Sequence, residues 1–297
     1  MSTRLLIMSL GLFSLPGLTS GDAVEAPSNI PEITVIAPKP VDPKLVVNEN
    51  IAAFVHSHGR AGKRTGQFGR WGSPLCPEIQ GMTPAFSDFV SIRVRTIAAA
   101  VQRHASATDD CKSNVLIAFT GHPQAYLDEV AKQHPGWLGF HYVAELPKLK
   151  LVTRPIQSWY VTATRSRVGG LAVVDDVGSS RPPAEIGSRL KTGLESYIVF
   201  VLVVIDTNNI TGHAIGAISD YIAVLSLAQT SLADTCGQLP SILDLMVPDC
   251  GEASPDSITA SDLAYLQALY KISLPYEAAS QQFSIEDIML RELRGVQ

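Results

Sequence analysis

The chain has 297 residues, 46% of them apolar and 17% charged, with 23 Lys and Arg against 28 Asp and Glu and a net charge of −5. Abundant apolar residues without a glycine period exclude a disordered or collagen-like chain, and the length suffices for a sizeable core. The negative balance argues against nucleic acid as the main partner, because phosphate binding needs a basic face.

Residues 1–21 read as a secretory signal. Arg4 supplies the positive start, Leu5 to Leu18 the apolar run, and small residues around Gly21 and Ala23 the cleavage site. The apolar run is shorter than the ~20 residues that cross a bilayer, so no membrane span is expected after signal removal. Residues 22–50 carry Pro27, Pro31, Pro38, Pro40 and Pro43 and little helical period, which predicts an extended Pro-rich tether. The domain proper is expected over 51–276, with a C-terminal helical tail over 277–297.

The segment His56 to Gly66 is basic and Gly-rich but lacks the spacing of a phosphate loop. It is read as a solvated loop or edge strand. As a strand it would put His56 and His58 on one face, and these are the metal candidates, although two imidazoles do not make a closed site. Further on, Phe86–Arg103 predicts a helix, Asn114–Thr120 a strand and Gln124–Gln133 a helix ending before Pro135. His141–Glu145, Leu151–Thr164 and Leu171–Asp175 predict strands, and residues 169–189 a surface loop. Arg154, Arg165 and Arg167, with Trp159 and Tyr160, offer either a basic aromatic groove or an edge strand with a solvated, charged face, and the edge strand is preferred because charges blunt exposed edges. Tyr197–Asp206 (YIVFVLVVID) predicts the deepest strand.

An exported chain meets oxidising conditions, so four cysteines suggest two disulfides. Of three possible pairings, Cys76–Cys111 with Cys236–Cys250 keeps each bridge within one half of the chain and is preferred. No Cys-x-x-Cys or finger-spaced Cys-His pair points to zinc. No G-x-S-x-G elbow marks a serine nucleophile, and adjacent Asp175 and Asp176 would diverge on a strand rather than act together.

Ala214 to Gln229 is apolar almost all round, which predicts a buried helix. Gly216, Ser219, Ala223 and Ser226 recur along it at helical spacing, with Asp220 beside them. Such a stripe admits another backbone or lines a cleft. A turn at Pro240–Asp244 follows. A second helix begins at Thr259, whose partner Asp262 completes a capping pattern. Ser284 to Leu293 predicts a capped amphipathic helix that packs back on the domain.

These last elements resemble the zincins, the metallopeptidases that include the matrixins. A matrixin ends with a zinc-binding helix, a Ser-Ile-Met-type turn and a helix of pattern L-[ST]-x-D-D-[IL]-x-x-[IL]-Q-x-L-Y. Ser241-Ile242-Leu243 stands for the turn, and Ile258 to Tyr270 (ITASDLAYLQALY) for the helix. The chain is also similar to a family of secreted bacterial proteins through Arg70, Trp71 and Pro74. The overlap covers Tyr197 to Tyr270 with gaps. It implies an α+β, zincin-like fold: a twisted mixed sheet, a buried central helix and C-terminal helices.

The zinc signature H-E-x-x-H-x-x-G-x-x-H falls on Ser219, Asp220, Ala223, Ser226 and Gln229, so its ligands are missing. Asp220 stands where the general base would be, and His213 precedes the helix. The resemblance without its ligands implies an exported, periplasmic or secreted protein on an inactivated peptidase-like scaffold, with no cofactor. Gly216, Ser219, Ala223, Ser226 and Gln229 would line a cleft for an extended peptide or an envelope protein. Two alternatives remain at this point. One is a hydrolase with a non-standard metal or metal-free site drawing on Asp220, His213, His56 and His58. The other is a structural envelope protein. The oligomeric state is left open.

Overall fold

One mixed sheet organises the described residues: β1 (Arg70–Trp71), β2 (Pro77–Gln80), β3 (Val115–Thr120), β4 (Ile156–Ser166), β5 (Val173–Asp175) and β6 (Leu194–Asp206), in the order β2-β3-β6-β4-β5. The structure is a computed structural model that describes residues 38, 40–63, 65–101, 111–166, 173–175, 193–248, 250, 255–273 and 275–295. All of these lie within the unit Glu32–Gln297. The expected signal and nearly all of the expected 169–189 loop lie outside the described residues. β2, β3 and β6 are parallel, β4 runs antiparallel to β6 and β5 antiparallel to β4, while β1 pairs in parallel with the start of β6.

The central strands are continuous apolar runs because both sheet faces are covered. Alternate side chains point to opposite faces. Val115, Ile117 and Phe119 of β3, with Ile198, Val201, Val203 and Ile205 of β6, enter the main core. Leu116, Leu202 and Val204 enter a second cluster with Leu127, Leu138 and Trp159. Each such aliphatic side chain contributes roughly 1.5–3 kcal/mol by leaving water. Gly81, at the turn after β2, has φ +82° and a Cβ there would lie 1.9 Å from the carbonyl oxygen of Phe119, so only glycine fits.

Seven helices complete the described fold: α1 (Asn48–His58), α2 (Pro84–Val101), α3 (Pro123–Gln133), α4 (Leu146–Leu149), α5 (Ile215–Leu227), α6 (Ala260–Lys271) and α7 (Ala278–Arg294). α5 packs against α2, α6, β6 and the 3-10 turn Ile242–Met246, while α7 packs against α1 and α6. Every residue of α5 from Ala217 to Leu227 is buried, as its all-round apolar pattern requires. Thr259 caps α6 through its accepted bond from Asp262 N, and the reciprocal capping-box contact is present. Both disulfides, Cys76–Cys111 and Cys236–Cys250, are formed. Together these elements make a mixed α+β fold with parallel strands.

Four expectations change. The segment read as loop or edge strand at His56–His58 is the end of helix α1, whose buried stripe Ile51, Phe54, Val55 and His58 follows the i, i+3, i+4, i+7 spacing. Val46 is 3% exposed and Val41 and Leu45 pack on the core, so the core draws on residues read as tether. His141–Glu145 is not a strand but leads into a 3-10 turn at Val143–Glu145, with Tyr142 and Val143 exposed and unable to serve a core face. The last helix starts at Ala278 rather than at Ser284, and it buries Gln281, Ile285 and Met289.

Candidate functional site

The helix expected to line a cleft is sealed. Ser219, Asp220, Ala223 and Ser226 have no exposed surface. The Ser219 hydroxyl donates to the Ile215 carbonyl at 2.7 Å, within its own helix. Asp220 meets the buried Arg93 of α2 through both carboxylate oxygens, with Arg93 Nη2 donating to Oδ2 at 2.8 Å, and Ile258 N also donates to Oδ2 at 2.8 Å. The bond to Asp220 holds the Arg93 guanidinium above its ordinary pKa. This carboxylate joins α5, α2 and the approach to α6. The expected cleft is therefore corrected at Ser219, Ala223 and Ser226, which packed elements cover, whereas Gly216 in the first turn of α5 is half-buried and faces open space. Asp220 faces its arginine.

The histidines do not converge either. His56 is exposed on α1, whereas His58 is 6% exposed and stacks on Phe54 with ring centroids 3.9 Å apart. Two residues along a helix diverge by about 200°, so the shared face of a strand is lost. Burial lowers the His58 pKa, against the opposing charge of Asp262. His213 is exposed ahead of α5. Among the described residues, no three His, Cys, Asp or Glu side chains come together as a metal site.

The residues that carried the resemblance form a structural knot. Arg70 Nη1 donates to the carbonyls of Leu269, Tyr270 and Ile272 at 3.2, 2.7 and 2.9 Å, satisfying the free end of α6. Trp71 Nε1 donates to Ser226 O at 2.7 Å and anchors β1 on α5. Asp262 accepts from Ser241 Oγ at 2.6 Å and Ile242 N at 2.8 Å, which fixes the turn onto α6. The Cys236–Cys250 bridge closes the same region.

An open site lies elsewhere. The chain leaving α1 meets the chain leaving α5: Gly59 bridges Thr230, Arg60 N donates to Gln229 O at 3.0 Å, and Ser231 N donates to His58 O at 3.0 Å. The Tyr160 hydroxyl of β4 donates to Leu225 O at 2.8 Å and ties the sheet to the same place. Gly139, at φ +77°, lies so close to β4 that a Cβ would stand 2.2 Å from Tyr160 O. These contacts enclose a cavity of about 330 Å³ between residues 60–63, 138–140, 148–162 and 229–232.

Its walls mix chemistry. Leu138, Phe140, Leu149 and Leu151 supply apolar surface, while Ser158, Thr162, Thr230 and Ser231 supply hydroxyls. Arg60, Lys63, Lys148 and Arg154 also line it, yet none of the chain's 28 acidic residues is among the described lining residues. Lys63 Nζ pairs with Glu145 at 3.0 Å, and Arg154 donates to Asp234 and to the carbonyls of Leu232 and Ala233. Burial raises the pKa of Tyr160, which stays a neutral hydroxyl.

Of the expected site residues, Gln229 alone reaches this cavity. The reading of Arg154, Trp159 and Tyr160 as a solvated edge is corrected: β4 lies between β6 and β5, and Trp159 is 5% exposed. Arg165 instead stacks over Tyr197 at 5.0 Å, and Arg167 lies outside the described residues. The basic loop after His58 was legible in the sequence, but not that its Arg60 and Lys63 share a cavity with Lys148 and Arg154, since such cations carry no pattern until their neighbours in space are known. No family model, curated protein or solved structure matches the chain.

Proposed function

We propose that the chain is an exported, non-catalytic binding protein on a peptidase-like scaffold, and that it receives its ligand in the cavity beside β4. One observation carries the reading. The described lining combines apolar wall, cations and hydroxyls but holds no carboxylate, imidazole or thiol, so it offers contacts without a Ser-His-Asp, Cys-His or paired-carboxylate arrangement. Two disulfides support export, because such bridges persist in oxidising compartments. The scaffold reading rests on the sequence resemblance together with the succession of β6, a buried helix, a turn and α6. The paired Asp220 supports a structural role for the helix that would carry zinc in a peptidase.

The test is binding without turnover. Protein purified without chelators is expected to hold no stoichiometric zinc and to leave peptide and ester substrates intact. A mixed library of neutral and charged small molecules is expected to give saturable ligand-observed NMR signals that Ser231→Trp, at the exposed mouth of the cavity, removes. One tightly held zinc per chain with hydrolysis would sink the reading, as would a library that never binds.

A further inference from the structure

We infer that the cavity beside β4 takes a ligand bearing an oxyanion, a carboxylate or a phosphate, on an apolar body. This deepens the proposed function and rests on the cavity being a ligand site. The chain is acidic overall, with a net charge of −5, yet four cations and no carboxylate stand among the described lining residues. Lys63 and Arg154 are held by Glu145 and Asp234, whose side chains lie outside the lining. Arg60 and Lys148 are exposed and their side chains make no hydrogen bond or ion pair among the described residues. A local surplus of positive charge over low-dielectric walls focuses the field on an incoming anion. Guanidinium and ammonium groups are the donors that recognise carboxylate and phosphate oxygens.

The apolar wall of Leu138, Phe140, Leu149 and Leu151 receives the uncharged part. A volume of about 330 Å³ suits a small molecule or the end of a peptide rather than a folded partner. Both sources present the same chemistry.

The test titrates the full, disulfide-bonded chain with benzoate, phenyl phosphate and neutral benzyl alcohol. A second arm uses an acetylated tripeptide ending in Glu, with its Gln-amide counterpart. At least one anion is expected to bind saturably, at least tenfold tighter than its neutral counterpart, and more weakly as salt rises. Arg60→Ala with Lys148→Ala is expected to weaken the anion at least tenfold and leave the neutral probe unchanged. Both positions are exposed, so folding is not at stake. Lys44→Ala with Lys132→Ala removes the same charge outside the lining and is expected to change nothing. Binding of the small anions alone assigns a free small molecule, and binding of the peptide alone assigns an acidic chain end. Equal affinity for anion and neutral probe, or equal loss in the control variant, overturns the anion inference while the cavity reading stands. If no probe binds and Ser231→Trp has no effect on the library, both fail.

Discussion

Helix α5 and the cavity beside β4 use charge in opposite ways. At α5 an aspartate with no exposed surface is matched by a buried arginine and a backbone N–H, so every strong group is consumed internally. At the cavity, Arg60 and Lys148 stay in water with no partner among the described residues. A buried charge without its partner is costly, so the first arrangement fixes how α2, α5 and α6 sit. A solvated cation carries no such penalty and remains available to a ligand. Helix α5 thus holds the fold, and the cations of the proposed ligand site stand outside it.

The sharpest way to break this contrast is to remove one charge from each region. Asp220→Ala removes the buried carboxylate to which both Arg93 and Ile258 N donate, with an expected loss of about 3–5 kcal/mol in denaturant unfolding. Replacing both Arg93 and Asp220 by Met is expected to recover most of that loss. If Asp220→Ala leaves stability intact, α5 is not a structural centre of the fold. The bridge beside the turn is next: replacing Cys236 and Cys250, 14 residues apart, is expected to cost about 3 kcal/mol in the chain-entropy account. Thr259→Ala removes the cap of α6 and should cost about 1 kcal/mol, read as a shift in the unfolding midpoint without a change of slope.

A fourth prediction concerns pH. Burial, with Asp262 nearby, raises the Asp244 carboxyl from 3.8 to about 6. The folded state therefore holds this proton more tightly than the unfolded chain. Its contribution to stability is full below the ordinary carboxylate value and is lost as pH rises through about 6. Asp244→Asn is expected to flatten the stability profile across that window; an unchanged slope would refute the assignment. The smallest effect is at the cavity, where Arg60→Ala and Lys148→Ala should each shift stability by under about 0.5 kcal/mol, as surface changes do.

Much of the framework was legible because it depends on local pattern. The uninterrupted runs of β3 and β6, the all-round apolar α5 and the Thr259–Asp262 cap each state their environment in consecutive residues. α1 carried the same kind of signal in Ile51, Phe54, Val55 and His58, but the glycines and charges that follow drew the reading toward a loop. Tyr142 and Val143 misled in the other direction, since two exposed apolar residues look like strand until their lack of a covering layer is seen. The small stripe of α5 was legible as a feature and misjudged in use: the same spacing serves a cleft or a close helix contact, and the packing of α2 and α6 decides which.

By itself the sequence determined which segments must leave water, where α6 begins and which disulfide pairing is simplest, because those follow from neighbours along the chain. Only the tertiary structure decided that Asp220 meets Arg93 and that Arg60, Lys63, Lys148 and Arg154 share one cavity. The physical reason is that burial demand is written in local periodicity. The meeting of charges far apart in sequence is set by how the helices close over the sheet.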